Sequence, residues 1–405
     1  PSTAYVEPYA LSKATGAAMI ADPEILEQIL VKRVGDFPKS EIDDRVLRPA
    51  FGDSLLTASG ETWRWKRRLV APAFAPTAMA PLAPVMAAPF ERFAEAWASG
   101  AVENPVDVAL AMREATLAVI AETLFEDPAE LDSGAIVQAI EAFLEPISWV
   151  VALAALKAPR WTPHPGRGRI RRAAAAMRAS VAKTVAHRRG MAAKDDLFGR
   201  LMAASDPETG RPLTDEDLVD LILTLVAAGH DTSANTLTWA LFLLAEQTDL
   251  QAELAAEAAI GSGPADWPKI DAALKETMRL FPAAPMMGRR TTRPERFGTL
   301  ELAAGTMILI PIYALHRHEA LWERPDQFDP ARFLGAQPPR TQFMPFGAGP
   351  RICVGASFAM QEMALGLAAM LRSARFGVCD ETVCDPVHQV TLRPRGPLYL
   401  TVRAR

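Results

Sequence analysis

Residues 218–247 read LVDLILTLVAAGHDTSANTLTWALFLLAEQ. Just ahead stands Thr214, with Asp217 three residues on, a helix-start signal of the capping-box kind. The spacing predicts one apolar helix of about 30 residues, well above the usual length. So long and apolar a helix must cross the middle of a large domain, where other elements bury it on all sides. With 405 residues, half of them hydrophobic, the chain can build such a core. Yet His230, Asp231, Thr232 and Ser233 interrupt the run in succession. An acid and two alcohols in the most hydrophobic helix need a reason.

Helical periodicity dominates from Thr77 to Leu280, as in MAPLAPVMAAPFERFAEAWA and IRRAAAAMRASVAKTVAHRR. After Phe281 short β-type runs appear in RFGTLELAAGTMILIPIYALHRH, then an irregular connector, WERPDQFDPARFL. A last helix is expected from near Val354 to about Arg372, and VTLRPRGPLYLTVRAR reads as a closing hairpin. The expectation is one mainly α domain over 1–405 with a minor β region. Because the chain starts at Pro1 without a Met, its N-terminus is expected to be incomplete. The net charge of −5 gives no case for nucleic-acid binding. Three cysteines, Cys353, Cys379 and Cys384, are too few for a disulfide framework and fit a reducing compartment, hence the cytoplasm. No membrane span is expected.

In FMPFGAGPRICVGASFAMQEM, residues 343–363, two glycines and a proline build a tight loop. Cys353 is expected at the first position of the helix that follows. There, free backbone N–H groups and the positive dipole end favour thiolate and lower the pKa. Gly355 is expected to allow close backbone approach, so that a flat cofactor lies on the loop with its metal on the sulfur. Arg351 would pair with an anionic edge of that cofactor. Phe346, Gly349, Arg351, Cys353 and Gly355 match F-x-x-G-x-R-x-C-x-G. That pattern resembles the haem-ligand loop of the cytochromes P-450.

The resemblance extends along the chain. KETMRL carries E-x-x-R as Glu276 and Arg279, one turn apart, and RPDQFDPARF resembles the family's P-x-x-F-x-P-x-R-F with Arg332. The resemblance implies that these three form a buried structural charge cluster. GETWRWKRRLVAPAF resembles the W-x-x-x-R helix, which implies Trp63 and Arg67 on a haem propionate. Arg289, with Arg290 as the alternative, looks like the arginine of the other propionate. The fold implied is the cytochrome P-450 fold, with haem b between the long central helix and the Cys353 loop.

AGHDT then resembles the family's A-G-x-D/E-T. Ala228 and Gly229 would leave room for dioxygen, with Gly229 weakening the helix. Thr232 would bond back to a carbonyl or a water and open the ladder into a groove. Thr232 would hold a water or the reduced oxygen, and Asp231 would link it to solvent protons. His230 reads as a satisfied polar residue on another side of the helix, since no paired-ligand spacing accompanies it. The resemblance implies a monooxygenase that inserts one atom of dioxygen into a small lipophilic substrate (a fatty acid, terpenoid or similar). Pro285, Met286 and Met287 are soft apolar residues placed near the haem edge. No flavin, iron–sulfur or Rossmann motif is present, so electrons must come from a ferredoxin or flavodoxin-like protein with its NAD(P)H reductase. Arg64, Lys66 and Arg68 are candidate cations for docking it. The alternatives are a hydrogen-peroxide-driven peroxygenase and a non-catalytic haem-binding protein.

Overall fold

The structure is a computed structural model that describes residues 9–12, 16–100, 105–156 and 158–405. Its axis is the central helix, Asp215–Ala245, about 46 Å long at the α-helical rise. The capping box forms as the sequence predicts. Asp217 N donates to Thr214 Oγ1 at 3.1 Å, and Thr214 N to Asp217 Oδ2 at 3.0 Å. Asp215, Glu216 and Asp217 then complement the positive end of the helix dipole.

Four helices sheathe this axis: Val108–Leu124, Arg167–Arg189, Pro268–Leu280 and Ala356–Ser373. Val108–Leu124 buries residues on every side, which suits a helix sandwiched between others. Asp107 caps its start, accepting from Ala109 N at 3.1 Å and Leu110 N at 3.3 Å. Near the far end of the axis the Trp239 ring stacks on Phe281, centroids 4.3 Å apart and planes nearly parallel. No single helix among the described residues is long and apolar enough to cross a membrane.

The β structure lies to one side. A four-stranded sheet runs in the order Tyr9–Ser12, Ala17–Ile20, Met307–Ile310, Met287–Arg290. Ala18, Ile308 and Arg289 stand in register across it. Ala18 and Ile308 are fully buried, so Arg289 sits on the core side and its neighbour Arg290 on the opposite face. The expected closing hairpin does not form. Leu392–Pro394 pairs instead with Pro386–His388, and Tyr399–Ala404 with Ala374–Gly377 and Val106–Asp107. Pro394 and Pro397 withhold the N–H groups a tight hairpin would need.

The charge cluster is built as the resemblance implies. Arg279 meets Glu276 through two bonds of 2.7 Å, Nε to Oε2 and Nη2 to Oε1, with both side chains fully buried. Arg332 Nε adds a 3.2 Å contact to Oε1, and Asp329 N donates to the same oxygen at 2.9 Å. The rest of the Arg279 fork donates to the carbonyls of His316 (2.9 Å), Pro325 (2.5 Å) and Gln327 (3.0 Å). Removing one member strands its partner's charge in the interior. Glu276→Ala is therefore expected to destabilise the chain by about 3–5 kcal/mol. The check is the midpoint of urea unfolding, which an expendable surface pair would leave unmoved.

Candidate active site

The loop that carries Cys353 is fixed through its backbone. Gly347 and Gly349 have φ of +76° and +70°, the left-handed region that favours glycine. Gly349 also has no room for a side chain, because a Cβ there would lie 1.9 Å from the Leu30 carbonyl oxygen. Ile352 N donates to Gly349 O at 3.0 Å, and Cys353 N to Phe346 O at 2.9 Å. Upstream, Met344 N donates to His316 Nε2 at 3.0 Å. His316 is wholly buried. Desolvation, with Arg279 and Arg317 nearby, holds its imidazole down at about 3, so the ring stays neutral and can accept that bond.

Two expectations about Cys353 change. The helix begins at Ala356 with Gly355 as its N-cap, so Cys353 lies two residues before the cap and not at the first helical position. Cys353 is an exposed residue as a whole, yet its thiol lies deep enough that burial pushes it up. The Gly355 N–H and the Arg67 charge pull it back without reversing the direction. Gly355 has an ordinary negative φ, and a Cβ there would meet only Cys353 Sγ, at 4.0 Å. Its hydrogen toward the sulfur, more than any tight approach, is what the structure gives it.

Three arginines gather around this loop. Arg351 donates to Ala58 O at 3.0 Å and lies over the Trp63 ring, 4.4 Å from its centroid. Desolvation, followed by the like charge of Arg289, brings Arg351 down to about 10. Arg67, half-buried, forms no ion pair among the described residues; desolvation lowers it and the Cys353 sulfur raises it. Arg289, buried, donates to Gly288 O at 2.7 Å, and it is Arg289 that Arg351 feels. Trp63 floors Arg351 with the face of its ring. Desolvated cations gathered beside Cys353, with open space next to Gly355, fit an anionic, sulfur-ligated cofactor. The other three cations are committed elsewhere. Arg64 pairs with Glu61, and Arg68 with Asp206 and Glu208. Lys66 is buried against Asp217, so these residues offer little free charge for docking a partner.

On the central helix the polar interruption sorts itself by side. His230 is buried, its Nδ1 2.7 Å from Val226 O, a satisfied polar residue as expected. Thr116 Oγ1 of the neighbouring helix donates to His230 O at 2.9 Å. The space for a Gly229 side chain is taken by Ile120, whose Cδ1 would lie 2.6 Å from a Cβ there. Gly229 thus serves the packing of two helices, and the room expected of it for dioxygen is not what its missing side chain provides. Ala228 is exposed, and Asp231 and Thr232, three and four residues on, are half-exposed on the same side. Thr232 Oγ1 donates to Ala228 O at 2.7 Å, the predicted back-bond, but the helix stays α-helical throughout. Asp231 Oδ2 accepts from Thr391 Oγ1 at 2.6 Å.

The sequence reading passed over Glu362, on the helix that follows Cys353. It is completely buried, and burial pushes its carboxyl up to about 8, with the Ser233 hydroxyl the one group favouring the charged form. Neither carboxyl oxygen completes a hydrogen bond. Ser233 follows Thr232, so Glu362 marks where the Cys353 helix meets the central helix. A lone acid in ASFAMQEMALGLAAMLRS was the signal available.

Residues 12–402 match the family model described as Cytochrome P450. The chain belongs to the cytochrome P450 family. Cyclooctatin synthase of Streptomyces melanosporofaciens is 32% identical over 403 residues, covering 95% of this chain and 85% of that protein. Cyclooctat-9-en-7-ol 5-monooxygenase of the same organism is 31% identical over 370 residues, 87% of this chain and 79% of that one. Putative cytochrome P450 135B1 of Mycobacterium bovis is 34% identical, covering 95% and 82%. This P450 is accordingly a haem-thiolate monooxygenase with protoporphyrin IX haem and Cys353 as its axial ligand.

Two outcomes follow for the site. Gly349→Ala is expected to displace the Leu30 segment or the loop, and the purified protein should retain little haem per chain. Haem content equal to that of the wild type would contradict the close approach. Glu362 has a folded-state pKa above its unfolded one, so its contribution to stability is complete below the ordinary carboxyl range. That contribution is lost as pH rises through about 8. The isosteric Glu362→Gln should therefore hold its Tm between neutral pH and pH about 9 while the wild type declines; parallel Tm curves would contradict the assignment.

Proposed function

We propose that this P450 inserts one oxygen atom of dioxygen into a lipophilic organic molecule with a terpenoid-type skeleton, using electrons from a ferredoxin or flavodoxin-like donor and its reductase. The haem, when bound, supplies reductive activation of dioxygen and the oxygen transfer. The protein's part is to hold the cofactor, exclude bulk water and deliver protons. Arg67, Arg289 and Arg351 are the residues proposed to hold the propionates, because they are desolvated and gathered beside Cys353. Phe346 and Gly355 line the ligand loop, and Trp63 fixes Arg351 in place.

The observation that carries the monooxygenase reading over a peroxygenase is the Asp231–Thr232 pair beside exposed Ala228. An acid and an alcohol share one side of a mostly buried helix. Thr232, anchored to Ala228 O, has a fixed hydroxyl whose oxygen can still accept. Asp231 is half-exposed and able to exchange protons with water. A peroxide-driven enzyme draws its oxygen already reduced and protonated and has less need of such a relay.

The substrate class rests on apolar chemistry. Pro285 is buried, Met286 is exposed and Met287 half-buried, a pliable edge for a branched hydrocarbon. One relative's name specifies a 5-monooxygenase acting on cyclooctat-9-en-7-ol, which supports an alicyclic alcohol as the first candidate here. The three free cysteines support a reducing compartment, the cytoplasm. A panel of terpenoid alcohols and fatty acids, titrated against the haem spin-state change, tests this reading. Terpenoid alcohols should bind more tightly than fatty acids of equal carbon number, and the reverse order would overturn the class. With NAD(P)H and a ferredoxin–reductase pair, Asp231→Asn is expected to lower turnover by about 10²-fold. Thr232→Ala should shift consumed NAD(P)H toward hydrogen peroxide. Unchanged turnover in both, or equal turnover with peroxide alone, would favour the peroxygenase.

A further inference from the structure

Among the described residues Asp231 has one side-chain partner, and it comes from far along the chain. Thr391 Oγ1 donates to Asp231 Oδ2 at 2.6 Å, across 160 residues of sequence. Among the described residues no lysine, arginine or histidine pairs with Asp231, and Oδ1 accepts no hydrogen bond from the protein. Thr391 is half-buried and sits just before Leu392–Pro394, in the turn that joins this strand to Pro386–His388.

That turn is fastened to the central helix. Leu392 N donates to Ala283 O at 3.0 Å, and Leu392 O accepts from Trp239 Nε1 at 3.3 Å. Trp239 is itself two helical turns beyond Asp231, within about a quarter turn of the same side. The residue next to Thr391 is thereby bonded through both its N–H and its C=O to elements that do not depend on the hairpin. Gln389 N donates to Thr391 O at 3.2 Å and closes the turn. At the hairpin's base Arg395 N reaches Asp385 O at 2.9 Å, and the two side chains pair. A β-branched side chain on so anchored a backbone has little rotamer freedom, so its hydroxyl presents one direction.

We infer that Thr391 is a positioning residue for Asp231, its hydroxyl fixing Oδ2 so that Oδ1 is the oxygen that takes up and hands on protons. The chemistry of the donor matters. A guanidinium or ammonium at this distance would hold the carboxylate strongly anionic and make proton uptake costly. A neutral hydroxyl orients the group without bringing a full positive charge against it. The inference rests on the relay reading given under Proposed function and adds to it the hairpin as the part that aims the acid.

The test uses holoenzyme with NADPH, a ferredoxin–reductase pair and farnesol as the probe compound. It compares Thr391→Val, Thr391→Ser, Asp231→Ala and the double variant Thr391→Val/Asp231→Ala with the wild type. The readouts are hydrogen peroxide released per NADPH consumed, the solvent isotope effect on NADPH consumption, and Tm. Thr391→Val, equal in shape but without the donor, should change the isotope effect and raise the peroxide ratio by about tenfold. Thr391→Ser should restore both, and the Tm loss caused by Thr391→Val should vanish when Asp231 is already alanine. Wild-type values in Thr391→Val, equal damage in Val and Ser, or additive Tm losses would each overturn the inference. If Asp231→Ala is impaired while Thr391→Val is normal, only the positioning role falls. If Asp231→Ala behaves as wild type, the relay reading fails and this inference falls with it.

Discussion

Glu276 and Arg279 form an ion pair with no solvent exposure on either side, and the position of Cys353 hangs on it. Two charges in the interior cost several kcal/mol each in lost hydration. They are tolerable here because Glu276 accepts from Arg279, Arg332 and Asp329, while Arg279 donates to three carbonyls. One of those carbonyls belongs to His316, whose ring accepts from Met344 N at the head of the cysteine loop. A chain of directional bonds thus leads from the buried pair to the loop. Gly349, pressed against the Leu30 carbonyl, closes it from the other side.

The central helix answers a different constraint. On a helix buried on nearly all sides, most polar side chains find their partner within the helix itself. Thr224, Thr232, Thr236 and Thr238 each return their hydroxyl to the carbonyl four residues back. His230 does the same with a ring nitrogen, and Gly229 lets Ile120 approach. What is left over is local: Ala228, Asp231 and Thr232 on one accessible side, with Glu362 and Ser233 in the dry contact beside them. Of these groups Glu362 is one whose protonation the fold changes, burial pushing its carboxyl up.

Features whose causes are local were legible in the sequence. The capping box of Thr214, the length of the central helix, the E-x-x-R turn and the cysteine loop all depend on residues within a few positions of one another. The unread features depend on partners far along the chain. Nothing near Gly229 announces Ile120, and nothing near Asp231 announces Thr391. Lys66 looked like a surface cation until Asp217 was found beside it. The closing hairpin failed for the same reason, since Tyr399–Ala404 finds better partners in Ala374–Gly377 and Val106–Asp107 than in its own neighbour.

The central claim is that this network presents Cys353 as a thiolate to haem iron, although burial alone favours the neutral thiol in the protein chain. Iron, when bound there, would supply the missing stabilisation of the charged form. The absorption spectrum of the dithionite-reduced protein under carbon monoxide tests this most directly. The account predicts a strongly red-shifted, thiolate-type Soret band that is lost in Cys353→Ser. A band at the position typical of imidazole or neutral-thiol ligation, or a thiolate-type band that survives in Cys353→Ser, would contradict it.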